Sequence, residues 1–168
     1  MIDVGVNIAS DTDPMPYFTA PEALPMEKMD AVILTHAHLD HAGMLPVLFR
    51  YGYRGPVYCT PPTRDMMLLL QSDYLKVGGA EGKRAPYDME DIRTCMRHVV
   101  DVDWGQTVDI APDMKLTFHN AGHILGSLLY TFMLETENTT SYSLEIKNTK
   151  NLGYLMLQIL ASLDVKLL

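Results

Sequence analysis

A chain of 168 residues, 48% of them apolar, has enough material for one domain with a buried core. Its formal net charge of −8 excludes a binder that holds nucleic acid by charge alone, so an RNA substrate would need bound metal ions or parts of the protein outside this sequence. Cys59 and Cys95 stand far apart and form no CxxC pair, which argues against a zinc ribbon or a disulfide framework and for two buried thiols in a reducing compartment.

In chain order, Met1 to Val6 (MIDVGV) is expected to form a short strand that starts abruptly, which points to residues missing upstream. The first twenty residues contain Asp3, Asp11 and Asp13 and no long apolar run, so neither a signal peptide nor a membrane span is expected and a cytoplasmic location is the default. Asn7 to Pro25 is rich in Asp, Pro, Ser and Thr and predicts a loop. Met29 to Thr35 carries the unbroken apolar run Ala31–Leu34, the pattern of a strand covered on both faces. Ala42 to Tyr51 has the helical spacing of Met44, Leu45, Leu48 and Phe49, and Gly52 and Gly55 close it. Val57 to Thr60 predicts another short strand. Pro61 and Pro62 then open a helix to about Leu75, with Met66, Leu69 and Leu70 on its apolar face. A loop over Gly78 to Pro86 leads to a helix over Asp88 to Val99 carrying Ile92, Met96 and Val99. Strands follow at Thr107–Ile110 and Met114–His119, then a turn at Asn120 to His123. Strands alternating with helices place the chain in the α/β class.

The chemistry concentrates in His36-Ala37-His38-Leu39-Asp40-His41, directly after the buried strand. Strand ends are where α/β proteins display reactive groups. His36 and His38 are two apart, so in extended chain they project to one side and can grip one metal. Asp40 and His41, at the start of the next helix, can grip a second. Imidazole with carboxylate suits zinc ahead of manganese or iron. His98 and His119 are expected to be packed or surface histidines.

This block resembles the main motif of the metallo-β-lactamase superfamily. Ile2-Asp3-Val4-Gly5 resembles the superfamily's first motif, whose Asp orients metal ligands from behind. Gly122-His123-Ile124-Leu125-Gly126-Ser127 resembles the motif whose His completes the first metal site. Together with Gly55-Pro56-Val57-Tyr58 and Pro61-Pro62-Thr63-Arg64, it is similar to the β-CASP branch, and within that to the archaeal cleavage-and-polyadenylation-specificity-factor-like ribonucleases. The resemblance implies an incomplete αββα sandwich over residues 1–130, a zinc held by His36, His38 and His123, and a second held by Asp40 and His41. It further implies in-line attack of an activated water on RNA, with Asp40 helping to orient that water. Endonuclease and exonuclease modes, and roles in mRNA 3′-end processing or RNA turnover, all follow from the resemblance. A small-molecule metallohydrolase and a non-catalytic scaffold stay open as alternatives.

Residues 131–168 depart from the pattern. The family calls for a strand ending in Gly-Asp, whose Asp bridges the metals, and no Gly-Asp occurs here. In the reading frame that joins the third base of each codon to the first two of the next, Tyr130 to Ile146 can spell HFHVGDGEHNIVFTGD. Lys147 to Leu168 can spell KYEKSRLFDAANTSFPRCETL. One codon between them, spanning Ile146 and Lys147, is limited to Lys, Gln or stop. These strings resemble the missing continuation, Gly-Asp included, so a frameshift near Leu128–Thr131 is expected. The chain as written is then a fragment with a half-built second site and weak or absent activity. Its apolar faces would favour self-association, and Leu152 to Leu168 would either cover such a face as an amphipathic helix or be a chance product of the wrong frame.

Overall fold

Ala31 to Leu34 are all at most 8% exposed, and they divide by the two-residue alternation of extended chain. Val32 and Leu34 face a cluster built with the helices, whereas Ala31 and Ile33 face a second cluster built with an antiparallel sheet. A run covered from both sides has no reason to alternate apolar with polar, which is why the sequence reads as unbroken. The computed structural model describes residues 1–7, 15–16, 25–82, 85–136 and 139–146, with residues 134–146 described by backbone alone. The expected loop over Asn7 to Pro25 lies largely outside the described residues, and the expected leucine-rich tail helix lies wholly outside them.

The first sheet is parallel, ordered β1 (Val32–Ile33), β2 (Val57–Cys59), β3 (Val99–Asp101), with Val32 opposite Val57 and Val57 opposite Val99. The expected strand over residues 1–6 is reduced to one parallel bridge, Ile2 to Ile33, alongside β1. The second sheet is antiparallel, ordered β4 (Thr107–Ala111), β5 (Met114–Asn120), β6 (Leu128–Thr136), β7 (Thr139–Ile146). Leu116, Phe118, Leu128 and Tyr130 point from it toward Ala31, Ile33 and Tyr58 of the first sheet. The helices cover the other face of the first sheet. This is a layered α/β sandwich.

Among the described residues, four α-helices fill the connections. The expected helix over Ala42 to Tyr51 is two pieces, α1 (Leu39–Ala42) and α2 (Leu45–Arg50), broken at Gly43–Met44. The break turns α2 so that Leu45, Val47, Leu48 and Phe49 are all buried. Helix α3 (Pro61–Ala80) starts where its two prolines place it and runs five residues past the expected Leu75. Its inner face differs from expectation: Thr63, Met67 and Gln71 are buried, Met66 and Leu70 flank them, and Leu69 is 68% exposed. The buried set steps by four, the helical repeat, and includes polar residues that an apolar count passes over. Gln71 Nε2 donates to the Ala42 carbonyl at 2.8 Å, which accounts for one of them.

Helix α4 (Met89–Arg97) opens with a reciprocal capping box between Asp88 and Asp91. It ends at His98, so Val99 belongs to β3 and not to the helix. Among the described residues no helix is long and apolar enough to cross a membrane.

Candidate metal centre

All strands of a parallel sheet end at one edge, and the site is built there. From β1 the chain runs extended through Thr35-His36-Ala37-His38 before α1 begins. Residues 3–6 press on α1 from the side: Val4 N donates to the His41 carbonyl at 2.6 Å, Val6 N to Leu39 at 2.8 Å, and Met44 N to Val4 at 2.9 Å. A Cβ on Gly5 would lie 1.7 Å from the Asp40 carbonyl oxygen, so only glycine lets the segment approach this closely. This contact fixes the turn that presents Asp40 and His41.

His36, His38 and His123 come together, with ligand atoms all within 4.8 Å of one another. His36 Nε2 lies 3.1 Å from His38 Nδ1, as the two-residue spacing in extended chain requires. The His123 ring is 5.0 Å from that of His36 and 5.3 Å from that of His38, and the His41 ring is 4.0 Å from that of His36.

Asp3 organises this group from behind. Its Oδ1 accepts from Thr35 N, and its Oδ2 accepts from both Thr35 Oγ1 and His41 Nδ1, each at 2.8 Å. The Thr35 hydroxyl has one proton and gives it to Asp3, so at 2.9 Å it accepts from His36 Nδ1. That leaves the lone pair of His36 on Nε2, facing His38. The same carboxylate holds the proton of His41 on Nδ1 and leaves its Nε2 for the side where Asp40 stands. One aspartate thus sets the tautomers of two histidines on separate elements.

Burial pushes His36 down to about 4, with the neighbouring His41 adding repulsion, so the ring is neutral and ready to ligate at physiological pH. The hydrogen bond to Asp3 raises His41.

His123 is exposed and sits in the turn between β5 and β6. Its backbone N and that of Ile124 both donate to Ser127 Oγ at 3.1 Å, closing the turn on itself. Asp40 is not in the three-histidine group; its Oδ2 lies 3.7 Å from His41 Nε2, and this pair forms a separate corner. His119 bonds Thr131 Oγ1 at 3.0 Å on the outer face of the second sheet, and His98 bonds the Thr94 carbonyl at 2.8 Å against the Phe49 ring. Neither enters the centre. Sequence reasoning passed over Thr35, which links Asp3 to His36; a small hydroxyl residue directly before the first histidine was the available signal.

The donor set fits a borderline divalent ion. Two imidazole nitrogens each about 2.0–2.1 Å from a tetrahedral zinc lie roughly 3.3 Å apart, and the His36–His38 pair is at 3.1 Å. The wider separations involve side chains at the surface, which rotation can shorten. His36, His38 and His123 could hold one ion, and Asp40 with His41 could contribute to a second.

Comparison with known proteins bears on the family and the fold. The chain matches the sequence profile of the metallo-beta-lactamase superfamily domain over residues 1–162. It is 56% identical over 132 residues to the transcription termination factor FttA of Methanosarcina mazei, covering 79% of this chain and 21% of that protein. It is 57% identical over 129 residues to the protein of the same name from Methanocaldococcus jannaschii, covering 77% of this chain and 20% of that protein. The chain therefore spans about a fifth of the length of these curated relatives. Among solved structures, the Rm3 metallo-beta-lactamase is similar with a TM-score of 0.51 at 20% identity, over 86% of this chain and 49% of that one, which bears on the fold alone.

Proposed function

Since the chain belongs to the metallo-beta-lactamase superfamily, we propose that it carries the metal centre of a β-CASP-type ribonuclease, with one zinc on His36, His38 and His123 and a second on Asp40 and His41. The observation that carries this reading is the Asp3 carboxylate, whose hydrogen bonds through Thr35 and directly to His41 leave the His36 lone pair facing His38 and the His41 lone pair on the side of Asp40. Bound there, the ions would supply Lewis acidity toward a phosphodiester and lower the pKa of an attacking water. The chain's own residues do the rest. Asp3 holds the protons on the far nitrogens, His36 stays neutral because it is buried, and Asp40 orients the water.

The substrate class is RNA. The name of the relatives, transcription termination factor, makes a nascent transcript the candidate. A net charge of −8 fits a chain in which metal ions, not lysines, meet the phosphates. The test is zinc content by mass spectrometry together with cleavage of a labelled single-stranded RNA. Wild-type protein without bound zinc, or zinc content unchanged in H36A/H38A, would refute the metal reading. Cleavage of thioesters or lactones without RNA cleavage would refute the substrate class.

We further propose that residues 1–130 are the in-frame part of the domain and that 131–168 are read out of frame, leaving this chain without the bridging Asp and with weak cleavage of its own. Supporting this, the alignments with the two curated relatives span 132 and 129 residues, about the length of the proposed in-frame part; the superfamily profile continues to residue 162 and counts against it. Nucleotide sequence across codons 125 to 150 decides it; the idea fails if no one-base change opens the other frame. A cytoplasmic location and self-association through apolar surface belong to the same reading. Cell fractionation and sedimentation velocity check them, with a membrane-bound pool or a strict monomer counting against.

A further inference from the structure

The turn that carries His123 belongs to neither sheet's ladder, yet it is tied down at several points. Ala121 N donates to the Ser127 carbonyl at 3.2 Å, and Leu128 N donates to the Thr35 carbonyl at 2.9 Å. A longer-range tie comes from the first turn of α3. The Gly126 carbonyl accepts from Thr60 Oγ1 at 2.7 Å and from Thr63 Oγ1 at 3.1 Å. Both threonines are buried, at 2% and 0% exposure. Two hydroxyls on one carbonyl fill both of its lone pairs.

Helix capping accounts for only one of these hydroxyls. Thr60 is the N-cap of α3 and accepts from Thr63 N at 3.4 Å. Thr63 has no capping duty, and a fully buried hydroxyl there has a cost that valine would avoid unless its bond matters. Gly126 shows the same closeness from the other side. It has φ +83°, and a Cβ there would lie 2.8 Å from Thr60 Oγ1, Thr63 N and Thr63 Oγ1 alike. The turn is therefore locked to the C-terminal end of β2, next to the strand that delivers His36 and His38.

We propose that Thr60 and Thr63 are positioning residues for the third metal ligand: by holding the Gly126 carbonyl at the start of α3 they set where His123 stands relative to His36 and His38. This rests on the three-histidine metal reading. Without the clamp the turn keeps its internal bonds but loses its anchor on the first sheet, and His123 drifts from the pair.

The test uses cobalt(II) as the probe on the full 168-residue chain, read by visible d–d absorption, beside thermal unfolding of the metal-free protein. Thr63→Val keeps volume and leaves the Thr60 cap intact. It is expected to weaken cobalt binding about tenfold, within the range seen when an outer partner of a ligand is lost. The d–d band at saturation should also be weaker, because His123 no longer completes the set, while the metal-free melting temperature changes little. Thr63→Ser restores the hydroxyl and should return affinity to within about threefold of wild type. The double variant T60V/T63V should bind more weakly still, and it also loses the cap. If Thr63→Val fails to fold, Thr63→Ala carries the same expectation without crowding. Wild-type affinity and spectrum in Thr63→Val or Thr63→Ala, or a serine variant as weak as the valine, would overturn the proposal. A wild-type chain that takes up no cobalt would overturn the metal reading itself and this proposal with it.

Discussion

Replacing Asp3 with asparagine keeps the shape of the side chain and its backbone. Asn is among the few residues that tolerate the φ of +52° found at this position. The amide oxygen can still accept from Thr35 N. The other terminal atom becomes an NH2 facing two donors, Thr35 Oγ1 and His41 Nδ1, where the carboxylate accepted from both at 2.8 Å. Hydrogen bonds to a charged acceptor contribute about 1.5–3 kcal/mol each, so two lost bonds bound the cost at roughly 3–6 kcal/mol. Relaxation of the hydroxyl and ring, with the Asp3 and His41 side chains 15% and 22% exposed, brings the expectation to the lower end, about 3 kcal/mol. The sign with pH follows from His41. Its folded pKa is raised by Asp3, so this stabilisation is fully present below the unfolded value near 6.5 and is lost as pH rises through the folded value. Urea unfolding of metal-free wild type and D3N should therefore show a larger gap near pH 5.5 than near pH 9. Metal affinity of D3N should fall by about 10–100-fold. A pH-independent gap, or unchanged metal affinity, would refute the claim that Asp3 sets both histidines.

Gly5→Ala puts a Cβ 1.7 Å from the Asp40 carbonyl oxygen, so the segment must leave α1; a loss of about 4 kcal/mol or more is expected, read as a collapsed melting temperature and lost cobalt uptake. Met67→Ala empties a fully buried site and should cost about 2–5 kcal/mol, whereas Leu69→Ala, at 68% exposure, should stay within about 0.5 kcal/mol in denaturant unfolding. In the metal-free chain, His36 has its pKa depressed to about 4, so its contribution to stability is present above the unfolded value and is lost as pH falls from about 6.5 toward 4. His41 acts in the opposite direction over part of that range, so the stability difference between wild type and His36→Gln, followed against pH, isolates the effect; a flat difference refutes it.

What was legible in the sequence had short-range causes. His36 and His38 lie on one side of one extended segment because they are two residues apart. The run Ala31–Leu34 is unbroken because β1 is covered twice. The start of α3 is written in Thr60-Pro61-Pro62. The inner face of α3 was not legible, because Met66 to Leu70 are apolar in sequence and point all around the helix, while the buried stripe includes Thr63 and Gln71. Those two are held by the Gly126 and Ala42 carbonyls, partners far away in sequence. Strand β3 was missed, with Val99 read as a helix end and residues 100–101 given no element, because three partly or fully exposed residues show no alternation. Residues 131–168 read as a departure from the family, and the described part of them continues β6 and forms β7, with Tyr130 opposite Ile146.

The proposed metal ligands and their supports differ in the same way. His36, His38, Asp40 and His41 fall within six residues, and any reader of spacing finds them. What turns their lone pairs inward is long-range. Asp3 reaches Thr35 across 32 positions and His41 across 38, and Thr60 reaches Gly126 across 66. These ties come from residues 3, 35, 60, 63 and 126, on both sheets' connections and at the head of α3. A chain holding only the histidine motif would have the ligands without their tautomers fixed, and it would bind metal as a loose peptide does. Pre-organisation here is therefore a property of the packed layers as a whole. Unfolding residues 1–130 should therefore abolish specific metal binding, because the contacts that aim the imidazoles exist only in the packed layers.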